Sequence, residues 1–193
     1  MKFYTRIGIF AIIGFCIWGL TSCIPPSEKK ASSVVRTNIF ADATAQDIYQ
    51  LQDLRNKDSL LFFLKDADPS YRYAAAMAFA SIKDSTIVEQ LGELLKDESP
   101  DVRYAVAYAL GQTKAKAAEP LLIAGFDRFD STGVSMKVNA AILEAIGKCG
   151  SKKALQQMST VSTYKPGDSI LVEGLAWGIY RFALRGITDT TAT

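Results

Sequence analysis

Ten residues, YRYAAAMAFA at 71–80, return as VRYAVAYALG at 102–111, and this echo limits the fold more than any single motif does. The shift of 31 positions carries Pro69 onto Pro100, Arg72 onto Arg103, Tyr73 onto Tyr104, and Ala74, Ala76 and Ala78 onto Ala105, Ala107 and Ala109. Weaker copies, VNAAILEAIG at 138–147 and LVEGLAWGIY at 171–180, follow after steps of 36 and 33 residues. One column then reads Ala74, Ala105, Ala141, Gly174, and another Ala78, Ala109, Ala145, Gly178. Self-similarity at this period is the mark of stacked repeats, each unable to bury its apolar face alone.

With 49% hydrophobic residues in a chain of 193, there is enough apolar surface for one core or a short solenoid. Formal net charge is +2, and residues 1–22 hold Lys2 and Arg6 but no acid. The rest therefore balances 20 Lys+Arg (22 − 2) against 20 Asp+Glu. No basic excess and no clustered basic stripe stands out, so nucleic acid is not an expected partner. The absence of histidine rules out Ser–His–Asp and Cys–His machinery and any metal site built on imidazole. Cys16, Cys23 and Cys149 cannot form a disulfide framework. No cofactor and no metal are expected.

Lys2 and Arg6 precede a 14-residue apolar run from Ile7 to Leu20. A spanning helix needs about 18 residues or more, so the run fits the core of a secretory signal. It ends in Leu20-Thr21-Ser22-Cys23, which resembles the bacterial lipobox. The resemblance implies a signal peptide over 1–22, cleavage before Cys23 and acylation of Cys23, hence a stable multi-chain lipid anchor. Residues 23–44, with Pro25-Pro26, Glu28-Lys29-Lys30 and Ser32-Ser33, read as a flexible tether. Ile24 rather than Asp follows the cysteine, which favours the outer membrane with the chain facing the periplasm.

From Ala45 to Ile187 the chain reads as all-α. Thr44-x-x-Asp47 is an expected helix start, with Ile48, Leu51 and Leu54 at helical spacing and a short helix from Ser59 to Lys65 after it. Asp68-Pro69 and Ser99-Pro100 each pair a capping residue with Pro at the first helical position, where its missing N–H is harmless. They fix helices over 69–82 and 100–113, with partner helices over 85–96 and 117–128. A longer loop at 127–133 explains the 36-residue step, followed by helices over 134–148, 152–161 and 169–185, with Gly186 a left-handed stop. No stretch sustains period-two alternation. The expected architecture is an α-α superhelix of about four and a half helical hairpins, with residues 188–193 a disordered tail.

Asp66-x-x-Pro69-x-x-Arg72 and Asp97-x-x-Pro100-x-x-Arg103, each leading into an Ala-rich helix, resemble HEAT repeats of the short bacterial, PBS-lyase type. The resemblance implies a HEAT-like solenoid in which Asp and Arg, six residues apart, tie adjacent repeats through a hydrogen-bond ladder. Asp66/Arg72 and Asp97/Arg103 are then its two rungs. The third copy has Gly133 and Asn139 in those positions and the fourth Pro166 and Val172, so the ladder is expected to stop. The layout of lipobox, linker and repeats also resembles the N-terminal part of envelope lipoproteins that carry a cyclophilin-type peptidyl-prolyl isomerase domain. No cyclophilin sequence is present here, so that resemblance places any isomerase chemistry in a continuation past Thr193. A bilin lyase of the related repeat type is disfavoured, because lipidation would separate it from a cytoplasmic substrate.

Motifs with catalytic overtones are incomplete. Ser162-Thr163-Tyr164-Lys165 fits S-x-x-K without its S-D-N and K-T-G companions. Gly147-Lys148-Cys149-Gly150-Ser151-Lys152 lacks the order of a phosphate loop. Pro69 and Tyr71 occupy positions where a calcium loop starting at Asp66-x-Asp68 would need ligands and glycine. Cys149, near Lys148, Lys152 and Lys153, is either an activated or an inert thiol, and the inert reading is favoured.

The stronger signal is a surface. At 100° per residue, Ala75, Ala78, Val106, Ala109 and Leu110 point inward. Tyr73 with Met77, Tyr104 with Tyr108, and Glu173 with Trp177 and Arg181 then point outward as a ridge, and Tyr and Trp favour recognition surfaces. In the last helix Val172, Leu175, Ile179 and Phe182 cover one side and Trp177, Tyr180 and Leu184 another, the pattern of an internal helix rather than a polar cap. That face is expected to meet a further domain or a second copy. The sequence thus points to a lipid-anchored repeat scaffold binding another protein in the bacterial cell envelope, without catalysis of its own. The alternative is the targeting and repeat segment of a cyclophilin-type isomerase.

Overall fold

Asp42 opens the first helix, its Oδ1 accepting the Ala45 N–H at 3.0 Å. The first helix therefore begins at Ala43, two residues before the expected start, and Thr44 lies within the helix instead of capping it. The computed structural model describes residues 38, 41–159 and 168–189. The signal segment, Cys23, most of the tether, Ser162 to Lys165, Pro166-Gly167 and the last four residues lie outside the described residues.

Nine α-helices follow one another among the described residues: α1 Ala43–Asp53, α2 Lys57–Phe63, α3 Pro69–Ile82, α4 Val88–Glu93, α5 Pro100–Thr113, α6 Ala118–Gly125, α7 Met136–Cys149, α8 Lys152–Ser159 and α9 Ser169–Leu184. They make four hairpins and one unpaired helix, an α-α solenoid. Single 3-10 turns, Ser85–Ile87 and Leu94–Lys96, flank α4, so the expected continuous helix over 85–96 is split. The helix expected over 117–128 closes at Gly125 instead, where a Cβ would lie 3.1 Å from Leu95.

The two proline-opened helices span the expected residues, and both end on a left-handed lysine, Lys83 at φ 59° and Lys114 at φ 55°. Helices α1, α3, α5, α7 and α9 form one row, each packed on the next, while the shorter partners pack alongside. The core runs through the row. Ala75, Ala78, Phe79, Val106, Ala109, Leu110, Ile142 and Phe182 are fully enclosed.

Small side chains set the spacing within the row. A Cβ on Gly111 would sit 2.9 Å from Ala145, and one on Gly174 would sit 2.5 Å from the Ala140 Cα. Gly174 of one small-residue column and Ala145 of the other thus lie where neighbouring helices touch.

The loop of 127–135 is held by Asp130, whose carboxylate accepts N–H groups of Thr132, Gly133 and Ser135 and the Thr132 hydroxyl. These donors keep its acidity stronger than usual in spite of burial, which acts the other way. Two expectations about the chain's end need correction. Val172, assigned to the packed side of α9, is 41% exposed. Asp189, assigned to a disordered tail, accepts from Gln156 Nε2 at 2.8 Å and pairs with Lys152 at 3.7 Å.

Candidate protein-binding site

The ladder is offset by one repeat from the pairing expected. Arg72 binds Asp97 of the following hairpin with two donors, Nε at 2.8 Å and Nη2 at 2.9 Å. Its Nη1 turns back onto the carbonyls of Asp66 and Ala67. The Asp66 carboxylate serves its own turn, accepting the Asp68 N–H. Arg103 repeats only the backbone half, donating to the carbonyls of Asp97 and Glu98. One Arg–carboxylate rung therefore joins two hairpins, and the hydrogen bond with Asp97 raises the Arg72 pKa further.

Asn139 stands where the next arginine would be. Its side chain accepts the Asp127 N–H at 3.0 Å and donates to the Asp127 carbonyl at 2.8 Å. A buried amide thus replaces the ion pair with a neutral clamp, which the sequence pattern alone read as a plain break.

The ridge residues divide. Tyr73 is half-buried against the core and Tyr180 lies at the far edge, its ring 5.7 Å from Trp177 in an edge-to-face contact. Tyr104, Tyr108 and Trp177 line a single groove of ≈ 350 Å³ between α5, α7 and α9. Its floor is Ala140, Ala141, Ala145 and Gly174, so the small residues that let helices approach also open the trough. Tyr104 is 40% and Trp177 45% exposed, leaving aromatic surface on both walls.

Glu144 sits at the centre. Its Oε1 takes Lys148 Nζ at 3.0 Å and Arg181 through Nη2 at 3.0 Å and Nε at 3.1 Å. Burial favours its neutral form, but these two cations prevail and hold its pKa below the usual value. Each cation also lies on a ring, Lys148 5.1 Å from the centre of Tyr108 and Arg181 5.6 Å from that of Trp177. The arrangement fixes long side chains in place before a partner arrives, which lowers the ordering cost of binding.

Residues 58–134 match a family model described as HEAT repeats. The fold is HEAT-like. The match covers α2 through the loop before α7, and repeats of this kind generally mediate protein binding. No curated protein matches the chain.

The remaining sequence candidates resolve simply. Cys149 is buried, donates to the Ala145 carbonyl, and burial pushes its thiol up to about 11, so it is inert. The glycines around it serve close packing. No group of metal-ligating residues occurs among the described residues. No basic stripe stands out along the sequence, yet basic side chains gather once the chain is folded. Lys83, Lys114, Lys116, Lys148, Arg181 and Arg185 line a second groove. Lys83 and Lys114 lie one repeat apart, as do Lys148 and Arg181, the one signal in the sequence that could have revealed part of the cluster.

Proposed function

We propose that this protein is a lipid-anchored HEAT-like scaffold in the bacterial cell envelope, at the outer membrane facing the periplasm. It binds another protein along the Tyr104/Tyr108/Trp177 groove. The observation that carries the reading is the groove itself. Exposed aromatic walls, an alanine floor and charges of both signs from Lys137, Lys148, Glu144 and Glu173 suit a protein segment with apolar anchors and polar flanks. Catalysis has no part in this reading.

Two experiments separate its parts. Envelope proteins cross-linked to the wild-type chain should be lost with Tyr104→Ala/Tyr108→Ala while the helical circular dichroism persists. Unchanged capture would remove the groove from the proposal. Metabolic labelling with a radioactive fatty acid should mark the wild type and not Cys23→Ser. Equal label in both would remove the anchor and leave the groove untouched.

A second reading gives the scaffold a cyclophilin-type isomerase domain past Thr193. The outer face of α9 favours it, with Trp177, Tyr180 and Leu184 between 45% and 62% exposed. An in-frame cyclophilin region in the coding sequence beyond Thr193 would support it, and a stop codon there would end it.

A further inference from the structure

The second groove collects six cationic side chains from four parts of the fold. Lys83 comes from the end of α3, Lys114 and Lys116 from the loop between α5 and α6, Lys148 from α7, and Arg181 and Arg185 from α9. Only Gln112 and Leu184 complete its lining, so no acidic side chain faces it. Beyond residue 22 the chain balances 20 positive against 20 negative residues, so this cluster comes from placement and not from composition.

Part of the cluster is already fixed. Arg185 donates through Nη1 to the carbonyls of Gly147, at 3.1 Å, and Gly150, at 2.8 Å, which anchors its guanidinium at the end of α7. Arg181 and Lys148 are held from behind by Glu144. Lys83, Lys114 and Lys116 have no carboxylate partner among the described residues. Helix C-termini favour one cation each, but Lys83, Lys114, Lys116 and Arg185, gathered in one groove with no carboxylate in its lining, repel one another over distances that salt screens only in part. An anion relieves that repulsion, and a groove lined by one sign of charge concentrates its field on such a ligand.

We infer that this groove binds a compact, multiply charged phosphate, either a free polyphosphate or the phosphorylated headgroup of a lipid. Its volume of ≈ 470 Å³ is that of a small-molecule site. Anchored guanidinium forks and exposed ammonium groups are together suited to phosphate oxygens. A nucleic-acid strand fits less well, because no aromatic side chain lines the groove to stack on a base.

The test is calorimetric titration of the full-length chain with inorganic tripolyphosphate. Wild type should bind one equivalent, more weakly as ionic strength rises. Lys83→Asn/Lys114→Asn/Lys116→Gln should weaken binding about tenfold or more, since three exposed charges are lost from the groove. Asparagine tolerates the left-handed backbone at 83 and 114, so the helix ends survive. Should the triple variant unfold, Lys116→Gln alone gives a smaller loss in the same direction. Displacement of bound tripolyphosphate by phosphatidic acid vesicles, whose headgroup is a phosphomonoester, but not by neutral phosphatidylcholine vesicles identifies the ligand as a lipid headgroup. Failure of both to displace it identifies a free phosphate. No binding by wild type, equal binding by folded variant and wild type, or tighter binding of a single-stranded oligonucleotide would each overturn the proposal.

Discussion

Gly147 of α7 and Gly178 of α9 meet backbone to backbone: a Cβ on Gly147 would fall on the Gly178 carbonyl oxygen and 2.7 Å from its Cα. Neither backbone can yield without parting the two helices. Gly147→Ala should therefore destabilise the fold by roughly 1–3 kcal/mol, as overpacking does, although alanine improves helix propensity by about 1 kcal/mol. Gly92→Ala is the contrast. Its Cβ would come 2.7 Å from the tip of the Leu121 side chain, which can rotate away. Urea midpoints should fall for Gly147→Ala and stay nearly unchanged for Gly92→Ala, and equal shifts would contradict this account.

Arg72 and Arg103 occupy equivalent positions in two copies of the repeat but do different work. The Arg72 side chain is 10% exposed and its Asp97 partner 8%. Arg72→Ala leaves that carboxylate buried without its ion-pair partner, which should cost about 3–5 kcal/mol. Arg103 donates only to backbone carbonyls, so Arg103→Ala should cost about 1 kcal/mol. Thermal or urea unfolding of the two variants checks the ratio. Comparable losses would mean that the Arg72–Asp97 rung adds nothing beyond the turn.

The Glu144 cluster predicts a pH dependence of definite sign. Lys148 and Arg181 outweigh burial and lower its folded pKa below the ordinary 4.5. The stability it contributes is thus fully present above that value and is lost as pH falls through the lowered one. Glu144→Gln should destabilise the protein at neutral pH, and the gap to wild type should close on acidification below 4.5. A gap independent of pH between neutrality and strong acid would show that shape, not charge, sets its contribution.

The repeat row was legible because its signals are local. Asp68-Pro69 and Ser99-Pro100 fix helix starts without reference to anything distant, and alanines at a constant offset mark the contact faces. What the sequence concealed depends on neighbours one repeat away. The ladder was misregistered because Arg72 reaches forward 25 residues to Asp97, past the nearer Asp66, whose carboxylate its own turn occupies. The basic groove was hidden because Lys83, Lys114, Lys148 and Arg181 are some thirty residues apart in sequence and adjacent only after stacking. The Ser99 hydroxyl, buried and without a hydrogen-bond partner among the described residues, has no explanation in the geometry around it.

Tyr180 bears on whether the row can continue past α9. It aligns with Ala80, Gly111 and Gly147, the positions each earlier helix turns toward the next, as the Gly111–Ala145 and Gly147–Gly178 contacts show. A sixth helix in the row at that spacing needs a small residue there, and the tyrosine, 49% exposed, stands in its way. A second copy stacking as another repeat is thus obstructed, while a partner of different shape can still use the ring. Tyr180→Ala should increase self-association, read by sedimentation equilibrium of both chains in the same detergent. If the wild type instead forms a dimer that Tyr180→Ala dissolves, the tyrosine is the anchor of a copy-to-copy interface and not a stop to the stack.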